Sequence, residues 1–245
     1  MNFCAVIPVY NHGAAIGAVV SAVRHHGLSC ILVDDGSDAA CAAVLDSLIA
    51  ADPTHLTLVR LASNQGKGGA MMAGLRQAQE QGYSHALQID ADGQHNTGDI
   101  PVFLQWSRTC PDALIAGCPE YDGSVPKARL YGRYATHVWV WINTLSLAIR
   151  DSMCGFRVYP LQATVQLIDQ VRIGTRMDFD IEIAVRLLWR GTPVMNVPTR
   201  VHYPSDGLSH FKAFRDNVLI SRMHAKLFAG MLVRMPFLLW RKVSS

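Results

Sequence analysis

The chain has 245 residues, half of them hydrophobic, and a formal net charge of +3. Its length allows one large domain, or one domain with an appendage, and the mild charge argues against nucleic acid as the main partner. The six cysteines include no C-x-x-C pair, which excludes the usual spacing of a zinc site. The N-terminus has no secretory signal pattern, so we expect a cytoplasmic protein.

Short apolar segments alternate with segments of helical spacing through the first half of the chain. The predicted strands are Phe3–Ile7, Ser29–Val33, Leu56–Leu61, Ala86–Ile89 and Ala113–Ala116. The predicted helices between them are Ala14–His26, Ala39–Ala51, Gly68–Gln81 and Asp99–Ser107. This alternation predicts an α/β fold in which helices cover both faces of a mostly parallel sheet.

The second half is less regular. Gly117–Arg129 has the glycine and proline content of a loop, and loops of that length are often functional. A long helical stretch at Leu130–Ile149 is followed by the turn-rich Arg150–Pro160. After two more helical stretches, Thr192–Tyr203 is predicted to be extended.

The C-terminal stretch Phe211–Trp240 has the spacing of a basic amphipathic helix, which Pro236 should kink or end. Its basic side chains fall within an arc of roughly 120°; they are Lys212, Arg215, Arg222, Lys226 and Arg234. Such a helix can lie on an anionic membrane surface, or it can dock on its own domain with the basic face in solvent. We therefore expect a main domain at 1–210 and an appendage at 211–245.

Two carboxylates lie two residues apart directly after the apolar segment His85–Ile89. Asp90 and Asp92 stand in Asp-Ala-Asp-Gly, at the predicted carboxyl end of a strand, which is where open α/β sheets bind ligands. Two like charges so close together need neutralisation, and Mg²⁺ shared with a diphosphate would supply it. The alternative is an acidic turn without a function.

Three further polar motifs follow predicted strands. They are Val6-Ile-Pro-Val-Tyr-Asn11, Val33-Asp-Asp-Gly-Ser-Asp38 and Ser63-Asn-Gln-Gly-Lys-Gly-Gly69. A tyrosine can stack on a base, a carboxylate can bind ribose, and Gly-Lys-Gly at a helix N-terminus can bind phosphate. None of them is a Walker A loop or a G-x-G-x-x-G turn, and each alone could be an ordinary turn or helix cap.

Together these motifs resemble the signature blocks of family 2 glycosyltransferases, whose GT-A fold is Rossmann-like. The resemblance continues through Asp151-Ser-Met-Cys-Gly-Phe-Arg157 and Phe179-Asp-Ile-Glu-Ile183, and it is strongest to the branch that contains dolichyl-phosphate mannose synthases. It implies inverting transfer of a sugar from a nucleotide diphosphate donor with Mg²⁺ or Mn²⁺.

The resemblance also implies a donor site. Pro8, Tyr10 and Asp35 would hold the base and the ribose, and Asn11 replaces a glutamate that is frequent in the synthase branch, which leaves uracil and guanine both open. From the Gly-Lys-Gly motif itself, Lys67 is expected to offer its ammonium to phosphate.

At the second carboxylate motif, Asp90 would face the donor ribose or sugar. Asp92, helped by Gln94, would hold the metal ion. His95, His202 and His210 are weaker candidates for metal ligands.

The acceptor side leaves two alternatives open. A hydroxyl acceptor needs a general base, and by position in the family block we favour Asp180 over Asp178 and Glu182, although helix capping is an equal alternative for Asp180. A lipid-phosphate acceptor is already anionic and needs no base. Arginines could then bind its phosphate; the candidates are Arg129, Arg133 and Arg157.

The sequence therefore predicts a metal-dependent glycosyltransferase with a lipid-linked acceptor, peripheral on the inner face of a membrane. Two other classes remain open. One is a catalytically silent nucleotide-sugar-binding protein. The other is a sugar-phosphate nucleotidyltransferase, which would carry a glycine-rich, basic loop after the first strand, and Val6–Gly13 has none.

Overall fold

The computed structural model describes residues 1–120, 127–201 and 213–243, with side chains from 131 in the second range and from 214 in the third. The strands are β1 (Phe3–Val9), β2 (Ser29–Asp34), β3 (Leu56–Arg60), β4 (His85–Gln88), β5 (Leu114–Glu120), β6 (Arg157–Pro160) and β7 (Val194–Arg200). The α-helices are α1 (Gly13–His25), α2 (Ala39–Ala51), α3 (Lys67–Glu80), α4 (Ile100–Thr109), α5 (Lys127–Thr144), α6 (Leu161–Gln170), α7 (Phe179–Trp189) and α8 (Ala213–Val243).

The seven described strands form one sheet in the order β3-β2-β1-β4-β6-β5-β7. Neighbouring strands are parallel except around β6, which pairs antiparallel with both β4 and β5. The first four strands therefore have the predicted parallel arrangement, in which their carboxyl ends meet at one edge. The expected α/β sheet with helices on both faces is confirmed.

Alternate residues of the strands point to opposite faces, and each face has its own hydrophobic core. In β1, Cys4 and Val6 pack with α3, α6, α7 and α8, while Ala5, Ile7 and Val9 pack with α1, α2 and α4. The motifs at the strand ends are thus carried by a sheet that is buried on both sides.

Three segments differ most from the prediction. The turn-rich segment Arg150–Pro160 ends in the strand β6, β5 extends to Glu120 inside the predicted loop, and α5 already begins at Lys127 and ends at Thr144. A four-residue strand that contains an arginine and a proline has too little apolar alternation to be recognised. The remainder of the predicted loop, 121–126, lies outside the described residues.

The C-terminal helix does not end at Pro236, which was one of the two expected effects of that proline, because α8 continues to Val243. It packs on the domain with Ile220, Leu227 and Met231 among its buried side chains. No helix in the described part of the chain is both long and apolar enough to cross a membrane.

Two cations of the expected basic face of α8 contact the rest of the protein, although both side chains remain exposed. Lys226 Nζ lies 3.1 Å from Glu182 Oε1 on α7 and donates to Arg172 O. The guanidinium of Arg234 stacks on the Trp189 ring, 4.9 Å from its centroid. Lys226 and Arg234 thus help to hold α8 on its own domain, and whether the basic stripe faces solvent or a membrane stays a prediction.

Candidate active site

The centre of the candidate site is a lysine held between two carboxylates. Lys67, the first residue of α3, places Nζ 2.7 Å from Asp90 Oδ1 and 2.9 Å from Asp180 Oδ2. Burial alone would lower the pKa of Lys67, but Asp180 and Asp90 raise that pKa above its usual range. Lys67 was expected to offer its ammonium to phosphate, and in this structure the ammonium is instead bound by protein carboxylates.

The contact with Lys67 also changes the pKa of Asp90. Burial alone would raise the pKa of Asp90, but the Lys67 ammonium and His95 hold that pKa well below its usual range. His95 Nε2 lies 3.5 Å from Asp90 Oδ2, and the imidazole stacks on Phe156. Asp90 is therefore an ionised carboxylate at the end of β4 across the physiological pH range.

Two glycines leave room for this arrangement. Gly66 has φ +89°, a conformation that side chains other than glycine rarely adopt, and it turns the chain into α3. A Cβ on Gly155 would lie 2.5 Å from Asp90 Oδ2 and 2.7 Å from Lys67 Nζ. The segment before β6 thus packs its backbone directly on the Asp90–Lys67 pair.

The expected ribose carboxylate, Asp35, organises the loop before α3. Its Oδ1 accepts from Gln65 N at 2.6 Å, and its Oδ2 accepts from Gly66 N at 2.9 Å and from Asn64 Nδ2 at 3.0 Å. Burial raises the pKa of Asp35 despite these backbone hydrogen bonds. Asp35 therefore links the end of β2 to the Gly-Lys-Gly turn.

The first two strand ends are also linked to each other. Asn11 Oδ1 accepts from Asp38 N at 2.8 Å, and Asn11 N donates to Ser37 Oγ at 3.1 Å. Asn11 has φ +57°, which asparagine tolerates better than most residues. Pro8 and Tyr10 are partly exposed beside this junction, so the structure brings the expected base and ribose residues to one edge of the sheet.

A cavity of about 90 Å³ opens at the carboxyl end of β4. Its polar lining includes Asp90, Asp92, Gln94, His95 and Arg133. Asp92 Oδ1 accepts from Gln94 N at 3.0 Å, which fixes the turn between them. The expected metal residues and one expected acceptor arginine therefore share one space.

The donor set of this cavity fits Mg²⁺ or Mn²⁺. Carboxylate and amide oxygens are the ligands that these ions prefer, and Mg²⁺ usually takes one or two carboxylates while substrate phosphates and water complete its shell. Asp90 Oδ1 is buried and lies 2.7 Å from Lys67 Nζ. No described donor has hydrogen-bond geometry with it. No group of three or more His, Cys, Asp or Glu in the described ranges could hold an ion by itself, so substrate oxygens would be needed.

Arg133 reaches the cavity from α5 and is held there by a carboxylate. Its Nε and Nη2 donate to Asp151 at 2.6 and 2.7 Å, and His137 Nε2 lies 3.3 Å from Asp151 Oδ2. Burial alone would raise the pKa of Asp151, but the hydrogen bond with His137 and the charge of Arg133 hold it well below its usual range. The bidentate pair fixes the plane of the guanidinium.

Arg157, the second acceptor candidate, lies in the interior. It is fully buried, and its guanidinium donates to the backbone carbonyls of Cys154, Ser152 and Asp180. In this position it does not reach an acceptor, so we do not retain it as a phosphate ligand. The side chain of Arg129, like His202 and His210, lies outside the described residues.

Asp180 is a poor general base in this structure. Both carboxylate oxygens have partners, since Oδ1 accepts from Gln88 Nε2 at 3.0 Å and Oδ2 lies beside Lys67 Nζ. The residue is 5% exposed and does not line the cavity. Its contacts are those of a residue that positions Lys67.

Sequence reasoning assigned no role to three residues that shape the site. Asp151 and Gly155 lie inside the block Asp151–Arg157, so the signal was present, but their contacts with Arg133 and Asp90 arise from the insertion of β6. His137 had no signal, because a histidine in a helical stretch is not distinctive.

Comparison with known proteins agrees with this geometry. Residues 4–164 match the sequence profile of glycosyl transferase family 2. The polyprenol monophosphomannose synthase of Mycolicibacterium smegmatis is 28% identical over 209 residues, which cover 79% of this chain and 74% of that protein. The undecaprenyl-phosphate mannosyltransferase of Micrococcus luteus is 28% identical over 205 residues, which cover 81% of this chain and 82% of that protein.

Solved structures show the same fold. A mannosyltransferase from Pyrobaculum calidifontis, in complex with GDP-mannose and Mn²⁺, aligns with a TM-score of 0.61 and 14% identity over 95% of this chain and 64% of that chain. The glucosyl-3-phosphoglycerate synthase from Mycobacterium tuberculosis aligns with a TM-score of 0.62 and 16% identity over 95% of this chain and 79% of that chain.

The chain belongs to glycosyl transferase family 2 and has the GT-A fold. Within that family it is similar to the polyprenol-phosphate and dolichyl-phosphate glycosyltransferases. The expected class of enzyme is thereby confirmed.

Proposed function

We propose that this enzyme transfers a sugar from a UDP- or GDP-sugar to the phosphate of a polyprenyl phosphate, with Mg²⁺ or Mn²⁺, at the cytoplasmic face of a membrane. The observation that carries the proposal is the single cavity that contains both Asp92 and Arg133. Relatives named for polyprenol, undecaprenyl-phosphate and dolichyl-phosphate substrates support the choice of acceptor.

The chemistry of the acceptor agrees with the residues present. A phosphate is already an anionic nucleophile, so the reaction requires no base, and the favoured candidate base Asp180 is committed to Lys67 and Gln88. Arg133, oriented by Asp151, would bind the acceptor phosphate as a charge-assisted pair. A phosphate oxygen of the acceptor would attack the anomeric carbon of the sugar and displace the nucleoside diphosphate. The product would be a glycosyl polyprenyl phosphate with inverted anomeric configuration.

The donor side would use the residues at the other end of the cavity. A divalent ion stabilises the charge that develops on the diphosphate leaving group, and Asp92 with Gln94 would hold that ion. Asp90, ionised and fixed by Lys67, would face the sugar or the ribose. Asn11, Pro8, Tyr10 and Asp35 would hold the nucleoside.

A transfer assay tests the proposal directly. The purified protein is mixed with radiolabelled UDP- or GDP-sugars, Mn²⁺ and polyprenyl phosphate in detergent, and the acid-labile glycolipid product is counted. We expect product with polyprenyl phosphate and none with the matching polyprenol, because only the phosphate is a nucleophile without a base. Equal transfer to polyprenol would contradict the proposal.

The metal assignment is tested in the same assay. Asp92→Asn should lower turnover by roughly a hundredfold or more, because Lewis-acid stabilisation is worth several kcal/mol. The matched control is Asp112→Asn, an exposed aspartate outside the cavity, which should keep wild-type activity. If EDTA leaves the wild-type rate unchanged, the metal-dependent mechanism is wrong.

A further inference from the structure

The outward side of α5 is apolar along its described length. Tyr131, Tyr134, Val138, Trp139 and Ile142 are each between 39% and 70% exposed. Large contiguous apolar patches are uncommon on monomeric proteins, and they usually mark an interaction site. The opposite side of the helix is buried and carries Arg133 toward the cavity.

The exposed side of α8 continues this surface. Trp139 meets Phe228 edge to face, with ring centroids 6.2 Å apart. Further along, α8 exposes Leu232, Met235, Leu239 and Trp240. An apolar groove of about 370 Å³ lies along the C-terminal half of α5, where Val138 and Ile142 line it, and Lys242 of α8 stands at its rim. We call this combined surface the α5–α8 face.

The charges around the α5–α8 face are of one sign. The sequence of α5 contains no Asp or Glu, and α8 contains one, Asp216, which is buried. Arg215, Arg222 and Lys242 are exposed on α8. Aromatic rings with cations at their margin and no exposed carboxylate suit the interface between lipid headgroups and acyl chains.

We propose that the α5–α8 face is the surface by which this protein docks on a lipid bilayer, with its aromatic and aliphatic side chains inserted among the headgroups. The proposal rests on the proposed function for its use, since Arg133 lies on the same helix as the inserted residues. Ile142 is nine positions after Arg133, which is roughly 14 Å along the helix. A docked α5 would hold the acceptor end of the cavity beside the phosphates of membrane lipids.

This mode of docking differs from attraction by a basic stripe. Lys226 and Arg234, two members of the expected stripe, are engaged with Glu182 and Trp189. Apolar insertion contributes in proportion to the buried apolar area and is little affected by salt, whereas purely electrostatic attraction is screened. The protein should therefore bind vesicles of uncharged phosphatidylcholine, and phosphatidylglycerol should add to that binding.

Vesicle flotation tests the proposal. The test variant is Val138→Asn with Ile142→Asn, and the matched control is Val102→Asn with Trp106→Asn on α4, where the exposures are 43% and 40%. We expect wild type and control to float with phosphatidylcholine vesicles at high salt, and the partition coefficient of the test variant to fall at least tenfold. Thermal unfolding of each variant shows whether it is folded.

Three results would overturn the proposal. The wild type could stay in the dense fraction with every vesicle, or the folded test variant could float as well as the control. Alternatively, sedimentation equilibrium could show a wild-type dimer that the test variant splits, with no flotation, and the face would then join two copies. Transfer to polyprenyl phosphate in detergent is measured separately, so that loss of docking and failure of the proposed function are distinguishable.

Discussion

At the scale of single residues, the site depends on balanced buried charge. Lys67 lies between the carboxylates of Asp90 and Asp180, and the buried guanidinium of Arg157 donates to the backbone carbonyl of Asp180. Isolated buried ions are expensive, and here the charges of the two cations offset those of the two carboxylates. Asp92 then adds a negative charge, which a divalent ion would offset.

Gly155 is predicted to be essential for this pairing. Gly155→Ala would place a methyl group against Asp90 and Lys67, at the distances given above, and should cost about 1–3 kcal/mol of folding free energy together with most of the transfer activity. Urea unfolding and the transfer assay measure the two effects. Gly17→Ala in α1, where a Cβ meets nothing within 4 Å, is the control and should be neutral or slightly stabilising.

Asp151 is predicted to position Arg133. Asp151→Asn keeps a side-chain oxygen for the backbone N–H groups of Met153 and Cys154, which now donate to Asp151, but removes the charge that fixes the guanidinium. We expect the KM for polyprenyl phosphate to rise about tenfold, which is the weight of one charge-assisted contact. The dissociation constant of the nucleotide, measured by calorimetry, should change little; a similar rise in that constant would point to general collapse of the site.

At the scale of elements, α8 is attached to α7 by its basic side chains. Glu182 on α7 accepts from Lys226 and also from Arg186 of its own helix. Arg234 stacks on the ring of Trp189. Arg241 donates to a backbone carbonyl at the end of α7. The sequence of α8 showed that its cations share an arc. It could not show whether solvent, lipid or α7 faces that arc, because helical periodicity describes one helix and not its neighbours.

The junction of α8 with α5 is predicted to weaken in acid. Burial lowers the pKa of His224 to about 4 from the usual 6.5, so the unfolded chain takes up the proton first as the pH falls. The stability contributed by neutral His224 is complete above pH 6.5 and is lost toward pH 4, with a loss of about 2 kcal/mol between about pH 7.5 and pH 5.

Urea unfolding at those two pH values measures this loss. His224→Gln cannot take up a proton and should lose about 2 kcal/mol less than wild type over the same interval. Asn143, whose side chain meets His224 Nδ1 at 3.2 Å, keeps a polar neighbour in the variant. Equal losses in wild type and variant would assign the acid sensitivity to the carboxylates instead.

At the scale of the whole molecule, the sequence was informative where one pattern determines one structure. Short apolar runs separated by helical spacing predicted β1 to β4 and the edge at which Asp35, Asp90 and Asp92 meet. The sequence was uninformative where the position of a side chain depends on packing against residues distant in the chain. Arg157 was a candidate for binding the acceptor phosphate and Asp180 a candidate for the general base, because nothing local shows that β6 and α7 enclose them.

β6 also has a consequence for how the chain is made. The half-sheet β3-β2-β1-β4 is connected to β5 and β7 through β6 alone among the described strands, and β4 is complete at Gln88 whereas β6 is complete only at Pro160. During synthesis on the ribosome, one edge of β4 therefore stays unpaired while α4, β5 and α5 emerge. An unpaired strand edge can pair with other chains. Nascent chains that stall before Pro160 should be the ones that need a chaperone.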